Sequence, residues 1–461
     1  MQNNHPVSPQ CWNLMYFQRK PDEHMATVPI ETLLSSFLQH RAICTDTRKI
    51  QPGDVFWALG GARFDGNQFA AQALEEGAAI AVVDKPDLIP EDDDRYVLVE
   101  DCLKALQDLA HAFRKTWTFP VIGLTGSNGK TTTKELLASV LRTKFKVHAT
   151  AGNYNNHIGV PLTILACPEE AEIAIIEMGT NQPGDIRELA DIALPDYGLI
   201  TNVGYAHLEK LISLDGVMVE KGQLFEVVKQ RGGHLFVNQE DHRVIKAAGD
   251  YDCVRSFGRE QGQARATIIE QDEQGMTVDM VTKQGSFQFR SSMSGAHNAL
   301  NMAAATLIGL HFGLSTNEIS SGLSAYSPSN HRSQLIQRDG YKLWMDAYNA
   351  NPSSMAATID HVMSLGADKV VLIIGDMYEL GEDSDQLHAE LGQTIEGHAP
   401  ALVIGVGEHI RHTLEQITTP VRHFPNTLEA TSEVAGLVKG ADLILLKASR
   451  GIGLEKLLEV L

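Results

Sequence analysis

A loop of small residues is the part of this sequence whose chemistry is most readily inferred. Residues 119–133 run from an apolar strand through the loop into the predicted start of a helix. Such a loop lets backbone N–H groups converge on an anion, the helix N-terminus adds partial positive charge, a lysine reaches the outer phosphates and a threonine hydroxyl ligates Mg²⁺. The pattern predicts a nucleoside triphosphate site formed by Gly126, Ser127, Asn128, Gly129, Lys130, Thr131 and Thr132.

This loop, called the cradle below, departs from the general nucleotide-binding pattern at one position. Leu124 stands where the first glycine is expected, so the cradle is a variant, and an ordinary glycine-rich turn is the alternative. The following helix is predicted to place an apolar face from Leu136 to Phe145 on one side, with neither proline nor glycine from Lys130 to Lys146.

Polar residues also follow other predicted strands. Glu177 ends one apolar run, and His207 follows another. In open parallel sheets, ligands gather at the carboxyl ends of the strands. Taken alone, however, such a glutamate is more often a surface residue and such a histidine a hydrogen-bonded loop residue.

Two long motifs make the chain resemble a known family. One motif is the cradle, and the other is the segment 152–163, which reads Gly-Asn-Tyr-Asn-Asn-His-Ile-Gly-Val-Pro-Leu-Thr. Together they are similar to the Mur ligases, ATP-dependent amide-forming enzymes that build the peptidoglycan precursor. Further stretches resemble the family in its usual order along the chain: 177–179, 201–207, 220–222, 295–298 and 331–332.

Within that family, residues 346–355 and 375–381 are similar to the branch that adds D-alanyl-D-alanine to the UDP-muramoyl tripeptide. The resemblance implies a ligase that works through an acyl phosphate, at the last cytoplasmic peptide-addition step of peptidoglycan precursor synthesis. The expected partners are ATP, the UDP-muramoyl tripeptide and D-alanyl-D-alanine, and the enzyme is expected to be a monomer.

The resemblance also implies roles for individual residues. Lys130, His207 and Lys221 are expected to be catalytic, and two Mg²⁺ ions are expected at Thr131, Glu177, His207 and Lys221. Lys221 would carry a carbamate formed with CO₂, which turns a cation into an anionic oxygen ligand. Besides the cradle, the ATP site would include Asn298, Arg332 and Asp346. The UDP substrate would be bound by Thr45, Asp46, Thr47, Arg48, Asn155, Asn156 and Thr163.

Composition limits the function classes that are compatible with the chain. With 461 residues and 43% hydrophobic content, the chain fits a globular enzyme of about three domains. A formal charge of −20 argues against a general nucleic-acid or anionic-membrane surface. Five scattered cysteines support neither a disulfide framework nor a zinc site, which fits a location in the reducing cytoplasm. No apolar run reaches the roughly 20 residues of a membrane span.

The predicted fold class is α/β in three domains. Alternating strands and helices predict two parallel sheets: a central mononucleotide-binding sheet, which carries the cradle, and a Rossmann-like C-terminal sheet. A small α/β UDP-binding domain is predicted before them. Residues 259–290 are predicted as a β appendage on the central domain. The predicted divisions are an extension at 1–24 and domains at 25–117, 118–327 and 328–461.

Two other interpretations are open from the sequence. One is a ligase of the same class with another acceptor, such as a diaminopimelate-adding or folate polyglutamyl ligase. Two observations disfavour it: about 120 residues precede the cradle, and the chain has no Asp-Asn-Pro-Arg motif. The other is an ATP-binding switch or scaffold that carries out no ligation, which the combination of Glu177, His207 and Lys221 disfavours.

Overall fold

The computed structural model describes residues 27–40, 42–61, 64–272, 274–328 and 333–461. They form two compact units. One unit comprises the described residues up to Trp117 together with Pro161–Cys167, and the other comprises Thr118–Val160 and Pro168–Leu461. The predicted extension at 1–24 and the predicted ATP contact Arg332 lie outside the described residues. Among the described helices, none combines the length and apolar character needed to cross a membrane.

The first unit is built on a four-stranded parallel sheet in the order β1-β2-β5-β6. Its core includes Phe56, Trp57 and Leu106, all nearly inaccessible to solvent. Its strands are β1 (Ile43–Cys44), β2 (Val55–Trp57), β3 (Gly60–Gly61), β4 (Phe64–Asp65), β5 (Ile80–Val83) and β6 (Tyr96–Leu98), and its helices are α1 (Ile30–His40), α2 (Ala70–Glu75) and α3 (Cys102–Arg114).

The central part of the second unit contains a nine-stranded sheet in the order β15-β14-β13-β12-β11-β10-β7-β9-β8. The strands are β7 (Val121–Thr125), β8 (Val147–Ala149), β9 (Ile173–Glu177), β10 (Tyr197–Ile200), β11 (His234–Asn238), β12 (Val254–Gly258), β13 (Ala264–Asp272), β14 (Gly275–Thr282) and β15 (Gly285–Ser291). The helices are α4 (Lys130–Leu141), α6 (Asp185–Ala193), α7 (Leu208–Leu211), α8 (Leu214–Gln230), α9 (His242–Ala248), α10 (Ala296–His311) and α11 (Thr316–Ala325). Helix α5 (Gly159–Leu165) begins in this unit, and its residues from Pro161 onward belong to the first unit.

Burial explains the sequence pattern of this sheet. All five residues of β7 and of β9 are buried, as expected for continuous apolar strands covered on both faces. Helices α4, α10 and α11 share one hydrophobic core with the sheet, while α6 and α8 pack on each other and contact β7. Strands β13 to β15 are antiparallel to one another and extend the sheet edge, so the predicted β appendage is continuous with the central sheet.

The C-terminal part has a six-stranded sheet in the order β16-β17-β21-β18-β19-β20, parallel except for β16. Its strands are β16 (Gln334–Arg338), β17 (Tyr341–Met345), β18 (Val370–Gly375), β19 (Leu402–Val406), β20 (Val421–Phe424) and β21 (Leu443–Lys447). Its helices are α12 (Pro352–Ser364), α13 (Ser384–Glu396), α14 (Arg411–Leu414), α15 (Thr427–Thr431) and α16 (Val434–Leu437).

The structure confirms the predicted α/β class and corrects one helix. Helix α4 ends at Leu141, so Phe145 is not on its apolar face as predicted. The Thr143 hydroxyl donates to the carbonyl of Val140 at 2.7 Å, and such a local bond competes with helix continuation.

Candidate active site

The cradle is a strand-to-helix turn whose shape depends on two glycines. Gly126 has φ +152° and Gly129 has φ +76°, which residues with a Cβ rarely adopt. A Cβ on Gly126 would lie 1.8 Å from the Thr201 hydroxyl oxygen. Strand β7 delivers the chain to this turn, and Lys130 begins α4 directly after it.

The loop after β10 holds the cradle in place. The Ser127 hydroxyl donates to the Gly204 carbonyl at 2.9 Å, and the Asn128 backbone N–H donates to Asn202 Oδ1 at 3.0 Å. Thr201 Oγ1 in turn donates to the Asn128 carbonyl at 2.6 Å. These bonds fix the loop backbone before any ligand binds.

Lys130 folds back over its own loop. Its Nζ donates to the carbonyls of Gly126 at 2.7 Å and of Ser127 at 3.3 Å. The ammonium group therefore lies beside the turn that the sequence predicts to bind phosphates.

Glu177 ends β9 next to the start of α4, and only 1% of it is exposed. Its Oε1 accepts hydrogen bonds from Asn155 Nδ2 at 2.8 Å and from the Thr131 hydroxyl at 3.2 Å. Oε2 accepts no hydrogen bond from the described residues. Asn155 was predicted as a contact of the UDP substrate, and in the structure it orients Glu177. Asn156, predicted for the same substrate, accepts a hydrogen bond through Oδ1 from the Gly159 N–H at the start of α5.

Lys221 is fully buried in α8, and its Nζ has no hydrogen-bond partner among the described residues. Burial, and then the charge of Lys130, push the pKa of Lys221 well below its ordinary value, while Glu220 opposes this shift. The carboxylate of Glu220 is occupied elsewhere, because it accepts from the N–H groups of Gly184 and Ile186, both at 2.7 Å, at the start of α6.

His207 precedes α7 with φ +56° and contacts the C-terminal part of the unit. Its Nδ1 lies 2.5 Å from Oε2 of Glu379, in the loop after β18. This contact, with smaller contributions from the charges of His207 and Lys210, lowers the pKa of Glu379. The described residues contain no group of three His, Cys, Asp or Glu side chains placed to hold a metal ion.

The C-terminal part presents an ion pair and a helix start to the cradle. Lys447 Nζ lies 2.5 Å from Asp346 Oδ2. Asn351 caps α12, and its Nδ2 donates to Asn128 Oδ1 at 2.7 Å, while Asn128 Nδ2 donates to Ser353 Oγ at 2.9 Å. The cradle side chain of Asn128 is thus bonded to two residues of the segment 346–355.

Asn298 has a more internal position than expected for an ATP contact. It is 2% exposed, its Nδ2 donates to the Ser294 carbonyl at 2.8 Å, and its Oδ1 accepts from Asn301 Nδ2 at 3.4 Å. It still lines the cavity described next.

A cavity of about 590 Å³ in the second unit brings most of the predicted site together. Its volume is within the range of small-molecule sites. Lys221, Gly126 and Thr163 are not in its wall, and Thr163 belongs to the first compact unit. The predicted residues that line it are Ser127, Asn128, Gly129, Lys130, Thr131, Thr132, Asn155, Asn156, Glu177, His207, Asn298 and Asp346.

Four of the residues predicted to bind the UDP substrate, Thr45 to Arg48, directly follow β1 in the first unit. Arg48 forms two hydrogen bonds to the carboxylate of Asp46, both 2.8 Å long, and its side chain is 85% exposed. This contact lowers the pKa of Asp46. Thr47 begins the short 3₁₀ turn that Asp46 caps, and Thr45 precedes it. An exposed, pre-oriented guanidinium is suited to an anion.

Sequence reasoning missed several residues of the site. Lys134, Asn202 and Ser353 were not assigned roles. Lys134 Nζ donates to the carbonyl of Thr150, while Asn202 and Ser353 both accept hydrogen bonds from Asn128 of the cradle. Lys134 offered a signal, since it follows Lys130 by one helical turn. Asn202 and Ser353 lie in the segments 201–207 and 346–355 that resemble the family, but their contacts with Asn128 cross 74 and 225 positions of sequence, and no spacing reveals them.

Comparisons with known proteins match this architecture. Three family models match: the Mur ligase family catalytic domain at residues 40–114, the Mur ligase middle domain at 124–309 and the Mur ligase glutamate ligase domain at 331–450. A curated relative from Bacillus subtilis, named UDP-N-acetylmuramoyl-tripeptide--D-alanyl-D-alanine ligase, is 37% identical over 429 residues, which cover 90% of this chain and 92% of the relative.

Solved structures agree with the sequence relatives. A structure of MurF from Acinetobacter baumannii has a TM-score of 0.83 at 33% identity, covering 91% of this chain and 92% of its own. A MurF ligase from Thermotoga maritima in complex with ADP has a TM-score of 0.83 at 29% identity, covering 92% and 97%. With this likeness extending over nine-tenths of its length, the chain belongs to the Mur ligase family.

Proposed function

We propose that this protein joins D-alanyl-D-alanine to a UDP-N-acetylmuramoyl tripeptide in an ATP-dependent reaction. The observation that carries the proposal is the contact of Asn128 with Asn351 and Ser353, because it joins the cradle to the segment that resembles the dipeptide-adding branch. The similarity over nine-tenths of the chain to relatives named UDP-N-acetylmuramoyl-tripeptide--D-alanyl-D-alanine ligase supports the same substrates for this chain.

The chemistry assigned to the cavity follows from the cost of the reaction. Joining a carboxylate to an amine in water is uphill, so the tripeptide carboxylate takes a phosphoryl group from ATP and the amine then displaces phosphate from the acyl phosphate. Such transfer depends on positioning and charge neutralisation. The cradle N–H groups and Lys130 are suited to the phosphates of ATP, and Asp346, paired with Lys447, to its ribose.

Magnesium fits the oxygen atoms present. Glu177 offers a buried carboxylate oxygen that accepts no hydrogen bond from the residues that the structure describes, and the Thr131 hydroxyl lies beside its other oxygen. Hard cations prefer such ligands. When bound, Mg²⁺ would neutralise phosphate charge, with His207 assigned to a second ion.

Carbamylation of Lys221 is supported by its environment. An amine whose pKa is lowered by burial keeps its lone pair, and that lone pair attacks CO₂. A bond forms between Nζ and the CO₂ carbon, one C–O π bond becomes a negatively charged oxygen, and Nζ releases a proton. The resulting carbamate would add an anionic oxygen ligand to that of Glu177, where the described His, Cys, Asp and Glu side chains form no group of three placed to hold a metal ion.

The remaining assignments concern the rest of the enzyme. We infer three domains at 25–117, 118–327 and 328–461, UDP binding by Thr45–Arg48, Asn155, Asn156 and Thr163, an ATP contact from Arg332, and a cytoplasmic monomer. Arg48→Ala should raise the KM for the UDP substrate much more than the KM for ATP. Equal increases would argue against a separate UDP module.

The decisive experiment is coupled phosphate release across a panel of UDP-muramoyl peptides and amino-acid or dipeptide acceptors. Release should require ATP, the tripeptide and D-alanyl-D-alanine together. Release with a UDP-muramoyl dipeptide and diaminopimelate instead would show another branch of the family. ATP turnover that ignores both substrates would reject ligation.

A further inference from the structure

Lys134 is a buried lysine to which the proposed reaction gives no role. It lies on α4, one helical turn beyond Lys130, and is completely inaccessible to solvent. A buried ammonium ion is tolerated only when hydrogen bonds and opposite charges replace the water that it has lost. The partners of Lys134 therefore indicate what the fold uses it for.

Those partners connect three parts of the site. Nζ donates to the carbonyl of Thr150 at 2.6 Å and of Gly152 at 3.4 Å, in the loop after β8. It also lies 3.0 Å from Glu135 Oε1 and 3.9 Å from Glu177 Oε2. Thr150 completes the arrangement, because its hydroxyl accepts from the Glu177 N–H at 2.9 Å. Lys134 thus links the cradle helix, this loop and the carboxylate at the end of β9.

The carboxylate of Glu177 is held on one side only. Asn155, which donates to Oε1, belongs to the loop that Lys134 anchors. Oε2 accepts no hydrogen bond from any described residue, and its ion-pair neighbour is the ammonium of Lys134. The oxygen that is open to a cation therefore has a fixed positive charge close to it.

We propose that Lys134 is a positioning residue for the divalent cation at Glu177. Its hydrogen bonds hold the loop that carries Asn155, and its charge weakens the attraction between Glu177 and the cation, so that tight binding requires the phosphates of the nucleotide. This inference rests on the proposed function, since it concerns the same carboxylate and cation. Glu135, which is 39% exposed, offsets the charge of Lys134 only in part. The remaining charge, this close to a buried cation, changes the cation's affinity by at least about tenfold.

Three substitutions separate the two roles. Lys134→Met removes donor and charge, Lys134→Gln keeps a donor without the charge, and Lys134→Arg keeps both. Lys144→Met is the matched control, because Lys144 also donates to a carbonyl, that of Gly313 at 2.7 Å, but on the exposed surface.

The probe is Mn²⁺, and the concentration of free Mn²⁺ is measured by electron paramagnetic resonance. The protein is titrated with Mn²⁺ first without nucleotide and then in the presence of ADP. Lys134→Gln and Lys134→Met should bind Mn²⁺ at least about tenfold tighter than wild type, while Lys134→Arg and the control stay within about twofold. Glu177→Gln identifies the site by removing this binding. Phosphate release should nevertheless fall by about tenfold or more in Lys134→Met, and less in Lys134→Gln. Damage to the fold alone would weaken both properties.

The outcomes distinguish this inference from the proposed function. Unchanged or weaker Mn²⁺ binding by folded Lys134→Gln overturns the inference and leaves the ligase assignment intact. Wild-type protein that binds no Mn²⁺, even with ADP, removes both the inference and the cation site of the proposed function. If circular dichroism shows that neither uncharged variant folds, Lys134 acts in folding alone, and the inference is again overturned.

Discussion

Replacing Lys221 by methionine should stabilise the fold while removing turnover. The side chain is fully buried, and its Nζ lacks a hydrogen-bond partner among the residues that the structure describes. A buried polar group of this kind costs about 1–3 kcal/mol in proteins. Methionine has a similar length without the polar group, so we expect the free energy of unfolding to rise by about 1–3 kcal/mol.

The pH dependence of stability provides a second readout of the same substitution. Burial lowers the pKa of Lys221 below its ordinary value near 10.5, so in the window between the two values the unfolded chain carries a proton that the folded protein lacks. The unfolded state then binds more protons, and wild-type stability rises with pH towards 10.5. Lys221→Met should lose this slope.

The assay combines denaturant unfolding in bicarbonate-free buffer with phosphate release in the presence and absence of bicarbonate. Bicarbonate should increase wild-type phosphate release and leave Lys221→Met inactive. Lys229→Met is the control on the same helix, because that ammonium lies 2.8 Å from Glu226 and is not isolated. A Lys221→Met protein that is less stable than wild type, or as active, would refute the reasoning.

Three further predictions concern the cradle, its contact with α12 and a buried histidine. Gly126→Ala should weaken ADP binding by roughly 5- to 150-fold, because φ +152° and the Thr201 hydroxyl both oppose a Cβ. Gly436→Ala in α16, whose Cβ would meet no atom within 4 Å, should bind ADP normally in calorimetry. Ser353→Ala should raise the KM for ATP about fivefold with little change in kcat, since one hydrogen bond of about 1 kcal/mol to the cradle is lost; an unchanged KM in initial-rate kinetics would contradict this. Burial, and then the charge of His297, lower the pKa of His361 to about 4. As the pH falls from 6.5 to 4, the unfolded state gains the proton first, so the free energy of unfolding should fall by up to about 3 kcal/mol. His361→Gln should show a shallower decline in denaturant titrations.

The strands could be predicted because they are buried on both faces. Runs such as 121–124 and 370–374 are apolar throughout, and buried strands of the structure lie on them, at Val121–Thr125 and Val370–Gly375. Short edge strands were missed. Val147–Ala149 has only intermediate burial, and Val421–Phe424 is mostly exposed, so neither displays an apolar pattern.

The site was predictable where chemistry lies in neighbouring residues and not where it depends on distant ones. The cradle from Gly126 to Thr132 is one continuous motif, whereas the contact between His207 and Glu379 joins positions 172 apart. The isolation of Lys221 is a property of packing around α8, and no spacing in the sequence encodes it. Resemblance to the family supplied the expectation for Lys221, and burial supplies its physical basis.

The bonds between the cradle and residues 201–204 have a consequence for protein engineering. Because Asn202, Thr201 and Gly204 supply the partners of Ser127 and Asn128, the active shape of the loop is not stored in residues 124–133 alone. A segment transplanted into another strand-to-helix turn would lose those partners and sample many conformations. The smallest portable nucleotide-binding unit is therefore the pair of adjacent strands β7 and β10 with both of their loops, rather than the motif by which the family is recognised.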